Sequence, residues 1–139
     1  MSDDHKATVR RFVEGYQTGH DVAVAESLLA DDFVDHTPFG PLSPDRNGVL
    51  ALFAMLFGAF PDFRADIDQQ LCDGDTVVTR KTFYGTQRGE FMGIPPTGRE
   101  VAFDVIDIVR VRDGQLVEHW NVVDAMALMT QLGALPTPA

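Results

Sequence analysis

The sequence predicts an α+β fold in which a curved, mostly antiparallel sheet wraps its concave face around N-terminal helices and leaves a cone-shaped cavity. Three observations predict it. The first third carries apolar residues at helical spacing, the pattern from residue 62 onward shifts towards a period of two, and a Gly/Pro-dense stretch separates the last two strands from those before them. The chain has 139 residues, 45% hydrophobic, with ten Phe, which suits a single domain over residues 1–139 with one sizeable interior.

Asp3 and Asp4 can cap a first helix whose stripe is Val9, Phe12, Val13 and Tyr16, ended by Gly19. A second, short helix starts at Asp21, with Val22, Ala25, Leu28 and Leu29 on its buried side. The segment DDFVDHTPFGPLSP contains three prolines and reads as a loop. Ser43 and Pro44 suit the N-cap and first turn of a third helix carrying Val49, Leu50, Phe53, Leu56 and Phe57, closed by Phe60-Pro61. Strands follow. Phe63, Ala65 and Ile67 alternate with charged residues, Asp73-Gly74 supplies a turn, and Thr76 to Tyr84 is rich in β-branched and aromatic residues. GTQRGEFMGIPPTGRE is a long loop with a short extended start, of a length often functional. Val101 to Val111 and Leu116 to Val123 form a hairpin at Asp113-Gly114. Asp124 caps a last helix ending at Gly133, and the tail LPTPA is expected to fray.

Charge and composition exclude several functions. Eleven Lys and Arg against twenty-one Asp and Glu give a net charge of −10, which phosphate backbones and anionic membrane surfaces repel. No nucleic-acid or membrane partner is expected. Cys72 is the single cysteine and no Cys/His pattern suggests zinc, so the expected compartment is reducing and cytoplasmic. The first residues, MSDDHKATVRR, are charged where a signal peptide would be apolar. GTQRGEFMG lacks the Lys-Ser/Thr ending of a phosphate loop, and the acidic residues and histidines show no tight ligand spacing, so no metal and no cofactor is expected.

The hairpin holds the chemistry. By parity, Val101, Phe103, Val105, Asp107, Val109 and Val111 share one face. A carboxylate in that apolar row must pair, accept hydrogen bonds or take up a proton. Its neighbours depend on register. With two loop residues at Asp113-Gly114, Asp107 faces Trp120; with a one-residue bulge at Gly114, Asp107 faces Asn121 and Arg110 faces Glu118. The second register matches charges on the polar face and gathers Val117, His119, Asn121 and Val123 beside Asp107. An acid, an imidazole and an amide in an apolar pocket can move protons at carbon next to a carbonyl and steady the enolate without a cofactor. Alternatively, the three satisfy one another as a buried polar network that fixes the register. Arg80 shares parity with Thr82 and Tyr84 and either pairs with Asp107, grips an anionic ligand group or stands exposed. Ile106, Ile108 and Trp120, on the other face, suit a homodimer interface or a different protein partner.

The runs GEFMGIPPTGREV and DIVRVRDGQLVEHW, with DFVDHTP, AFPDF, GDTVVTR, Asp124 and QLG, resemble the SnoaL-like polyketide cyclase family over nearly the whole chain. The resemblance implies the cone-shaped α+β barrel of nuclear transport factor two and an apolar small-molecule substrate. Members that close anthracycline rings by an intramolecular aldol step carry an Asp acid/base at the position of Asn121, a His at that of Asp107 and a His at that of Gln87. The carboxylate is thus moved between strands. The resemblance also implies that His36, with Asp35 beside it to orient the ring, lines the pocket mouth; a solvated loop pair is the plainer alternative. Joined to the reading of the hairpin, it leads to the expectation of an acid/base enzyme working on an apolar carbonyl or polyketide-type compound, with Asp107 moving the proton, His119 assisting and Asn121 holding the oxyanion, and with His36, Asp35, Arg80 and Gln87 contacting substrate. A hydroxylase-type member acting on a quinone and a ligand-binding domain without chemistry are the alternatives.

Overall fold

The computed structural model describes residues 2–135. Helix α1 (Ser2–Phe12) carries Asp3 and Asp4 inside its first turn, where carboxylates favour the helix dipole without capping it. It continues into a wider π-helical turn, Val13–Thr18, which buries Val13, Tyr16 and Gln17. It ends at Gly19 as predicted, where a Cβ would lie 2.5 Å from the Gly15 carbonyl oxygen, and the chain leaves the helix through His20, which takes a positive φ. Asp21 caps α2 (Val22–Leu28) by accepting a hydrogen bond from the Ala23 amide at 3.1 Å. Ala25 and Leu28 face inward, whereas Val22, expected on the buried side, is 47% exposed.

The expected loop after α2 begins instead with strand β1 (Leu29–Asp35), which runs parallel to β5 (Gln115–Val123). Helix α3 (Arg46–Ala59) is capped by Asp45, not by Ser43-Pro44. Asp45 accepts from the Gly48 amide, and the Ser43 hydroxyl donates to Asp45 and braces the cap. Strands β2 (Arg64–Asp73), β3 (Thr76–Thr86) and β4 (Glu100–Arg112) follow, each antiparallel to the next, and β4 pairs antiparallel with β5. The sheet order is β1-β5-β4-β3-β2, so β1 sits at an edge beside the final strand. Helix α4 (Ala125–Gln131) is capped by Asp124, as read from the sequence. Residues 136–139 of the expected frayed tail lie outside the described residues. Among the described residues no helix is long and apolar enough to cross a membrane.

The core fills the space between the sheet and helices α1 and α3. Tyr16, Phe53, Phe57, Phe63 and Phe83 form a chain of tilted and edge-on ring contacts with centroids 4.9 to 6.3 Å apart. Parity holds along β4: all six inner-face residues are buried, Asp107 included. The register of the last hairpin places Asp107 opposite Asn121 and Arg110 opposite Glu118, but by a different device from the bulge expected at Gly114. Asp113 and Gly114 both adopt positive φ, so the turn is a two-residue one with Arg112 opposite Gln115. The extra residue is Val117, between Leu116 and Glu118, and Leu116 rather than Val117 lines the cavity.

Candidate functional site

The cavity has a volume of about 260 Å³ and is walled mainly by apolar side chains, among them Val9, Phe33, Phe53, Phe83, Phe103 and Leu128. Its polar wall is assembled by four separate elements. The π-turn brings Gln17, β1 and the residues after it bring Asp35 and Thr37, β3 brings Lys81, and the hairpin brings Asp107, His119 and Asn121. Strand parity is the local cause. Asp107 interrupts the apolar row of β4, Lys81 interrupts the row Val77, Thr79, Phe83 of β3, and β1 lies beside β5 so that Asp35 is paired with His119.

These groups form a connected line. Gln17 Oε1 accepts from Lys81 Nζ at 2.8 Å, and Lys81 Nζ lies 2.6 Å from Asp107 Oδ2. Asp107 Oδ1 is 2.6 Å from His119 Nε2, and His119 Nδ1 is 3.0 Å from Asp35 Oδ1. Asp35 also accepts from the Thr37 amide, while the Thr37 hydroxyl donates to Asn121 Oδ1 and accepts the Asn121 backbone N–H. Asn121 thereby turns its amide NH2, which has no partner among the described residues, away from Thr37 at the cavity wall.

Carboxylates only accept, so with one on each ring nitrogen His119 must carry both protons. Burial alone would lower its pKa, but the hydrogen bonds and charges of Asp107 and Asp35 push it up to about 9. Burial works against ionisation of Asp107 too, and the Lys81 ammonium and His119 outweigh it, holding the carboxyl down to about 2. Asp35 is lowered in the same way, burial being overcome by His119 and Thr37. Two cations and two anions therefore alternate along the line, which leaves it neutral although Lys81 and Asp107 are almost completely buried.

Four of the seven residues named from the sequence meet at the cavity: Asp107, His119, Asn121 and Asp35. Asp35 orients His119, not His36. The structure does not bring the other three there. Strand parity turns His36 to the opposite side from Asp35, where its ring stacks on Trp120 at 4.5 Å and pairs with Glu118 at 2.9 Å. Arg80 points outward and lies 3.8 Å from Asp68, its neighbour Lys81 being the one that reaches Asp107. Gln87 is fully buried but ties the 87–99 loop together, donating to the Gly89 and Ile94 carbonyls and accepting from Thr97. Lys81, Gln17 and Thr37 were not singled out from the sequence. The parity test that exposed Asp107 also exposes Lys81, a charged residue alternating with Val77, Thr79 and Phe83.

The SnoaL-like polyketide cyclase family matches residues 6–132 of the chain. Among individual proteins, the chain is 31% identical to the aklanonic acid methyl ester cyclase DauD of Streptomyces sp. (strain C5), over 94% of this chain and 83% of that one. Among solved structures it is similar to IdmH of Streptomyces antibioticus, a candidate polyketide cyclase, with 35% identity, a TM-score of 0.81 and coverage of 93% of this chain and 98% of that one. It is also similar to AclR of Streptomyces galilaeus, a candidate hydroxylase, with 28% identity, a TM-score of 0.89 and coverage of 100% and 87%. A match that spans both the apolar walls and the polar line is a match of the whole domain, and the chain belongs to the SnoaL-like polyketide cyclase family.

Proposed function

We propose that the protein is a cofactor-independent acid/base enzyme that closes a ring in an apolar carbonyl compound of polyketide type. The observation that carries this reading is the 2.6 Å contact between Asp107 and His119 at the polar wall of an otherwise apolar cavity. At rest the pair holds a base and an acid side by side. Asp107 takes a proton from the carbon next to a carbonyl, and the amide NH2 of Asn121 donates to the enolate oxygen that forms. The enolate carbon attacks a second carbonyl of the same molecule, and the resulting alkoxide takes the His119 proton. Asp107 then returns its proton to His119, so the product is an isomer of the substrate and nothing is oxidised or reduced. A carboxylate held as low as Asp107 is a weak base, which suits a carbon acidified by two carbonyls.

Asp107→Asn keeps the size and an acceptor oxygen for His119 or Lys81 but removes the base. Its turnover of a β-dicarbonyl polyketide is expected to fall at least about tenfold, with the circular dichroism of the native fold retained. Unchanged turnover removes Asp107 from the reaction. The likeness to AclR favours a second reading, in which the same carboxylate protonates a peroxide formed on a reduced quinone substrate; product formation that stops when oxygen is removed identifies it. Tight binding with no conversion in either assay marks a ligand-binding domain instead.

Self-association belongs to the same reading. Ile106, Ile108 and Val122 stand exposed together on the outer face of the hairpin, and a homodimer would cover them. Mass measurement in solution, with Ile106→Lys as the disrupting variant, tests it: an unchanged mass rules this face out.

A further inference from the structure

Gln17 lies on the π-turn at the cavity wall, is 4% exposed, and plays no part in the proton transfers above. Its orientation follows from a one-way rule. The Lys81 ammonium has donors and no acceptor, so the Gln17 group 2.8 Å from Nζ has to be the carbonyl oxygen, and the amide NH2 has to face away from Lys81. That NH2 has no partner among the described residues, and it is not among the buried atoms sealed off without one, so it opens on the cavity. An amide donor left free on an otherwise apolar cavity wall is a fixed anchor for an acceptor that enters the cavity. Lys81 bridges Gln17 and Asp107 with a single nitrogen, which sets the Gln17 amide one ammonium away from the base.

We propose that Gln17 is a ligand-binding residue, pinned by Lys81 so that its amide NH2 donates to a carbonyl oxygen of the bound compound at the Lys81 end of the polar wall. Asn121 offers its amide at the other end, so the pocket favours a ligand with two carbonyl oxygens that straddle Asp107 and His119. The proposal rests on the reading above only in requiring that the cavity takes a carbonyl compound; turnover is not needed for it.

Two probes of similar shape test it, 1-phenylbutane-1,3-dione and n-butylbenzene, titrated into the full chain and followed by NMR of the Val9, Val13 and Val109 methyl groups. Gln17→Glu keeps an acceptor for Lys81 but puts an oxygen where the NH2 stands, and Gln17→Met removes both. The dione is expected to bind at least about tenfold more weakly to both variants, while n-butylbenzene changes by less than about twofold. In the unaltered protein the Gln17 side-chain NH2 resonances shift with the dione and stay still with n-butylbenzene, a readout that does not depend on the variants folding. A role confined to holding Lys81 predicts that Gln17→Glu binds the dione as well as Gln17 does, and that result overturns the proposal while leaving the cavity reading intact. If neither probe moves the methyl resonances at saturation, both fall. If the dione dependence on Gln17 holds and no substrate is turned over, only the enzyme reading falls.

Discussion

Glu118 and His119 are consecutive in β5, and each belongs to a histidine–carboxylate pair, one on each side of the sheet. On the inner side His119 meets Asp107 at 2.6 Å, with side chains 18% and 6% exposed; on the outer side Glu118 meets His36 at 2.9 Å, with 25% and 38%. The partners are alike and the surroundings are not. The inner pair is held between Lys81 and Asp35 at the wall of the apolar cavity, and its groups are displaced strongly, Asp107 down to about 2 and His119 up to about 9. On the outer side Glu118 is lowered by hydrogen bonds from His36 and Arg110, but water competes for every group there. The contrast teaches that a histidine–carboxylate pair holds both groups far from their ordinary pKa values where its charges are buried among further partners.

The largest way to break the contrast is to strip the inner side of a charge. Lys81→Met leaves Asp107 and Asp35 sharing one cation in a buried setting, and should cost about 3–5 kcal/mol of unfolding free energy. Adding Asp107→Asn to the same chain removes the stranded anion and should recover part of that loss. Urea titration of the single and double variants reads both. A loss below about 1 kcal/mol for Lys81→Met would mean that water reaches the inner pair as freely as the outer one.

Changing pH probes the same difference at smaller amplitude. The folded pKa of His119 is raised to about 9, above its unfolded value near 6.5. Its stabilisation is therefore fully present below about pH 6.5 and is lost as pH rises through about 9, a fall of roughly 3 kcal/mol at most. Asp107 acts in the opposite sense. Its folded pKa is depressed to about 2, so its share is present above about pH 4 and lost as pH falls through about 2. Stability measured by urea between pH 6 and 10 should decline in the unaltered protein, and the decline should shrink in Asp107→Asn, where His119 keeps only Asp35. An alkaline limb of equal depth in both would assign it to another group.

The two sides also differ in how far the sequence reveals them. Asp107 is legible because a single carboxylate breaks an otherwise apolar parity row, and the charge match of Arg110 with Glu118 picks the correct hairpin register even though the bulge sits at Val117. Lys81 is legible by the same test, but Arg80 on the next residue competes for attention, since each face of β3 mixes one cation with Thr and apolar residues. Strand β1 is hidden by a physical cause. It carries the acidic DDF run at its centre and pairs in parallel with a strand more than 80 residues away, so no local turn announces it, and without it the inward turn of Asp35 and the outward turn of His36 have no parity to rest on. Gln17 is hidden differently, since an amide at helical spacing beside Val13 and Tyr16 reads as one more helix residue until Lys81 is seen to orient it.

A double-mutant cycle of His36→Ala and Glu118→Gln should give a coupling far smaller than the Lys81→Met loss, because exposed charges gain little over their hydration and must order two flexible side chains. In about 1 M salt the coupling should approach zero, the Debye length there being about 3 Å. Glu118 keeps Arg110 Nε at 2.5 Å when His36 is gone, which blunts the loss further, whereas on the inner side Asp107 keeps only His119, already shared with Asp35, once Lys81 is removed. His36 also stacks flat on Trp120 at 4.5 Å, so His36→Ala alone should cost more than the coupling, through lost ring contact rather than lost charge. A salt-resistant coupling as large as the Lys81→Met loss would mean that the outer pair is covered in solution, as it would be if a second copy of the chain closed over Trp120.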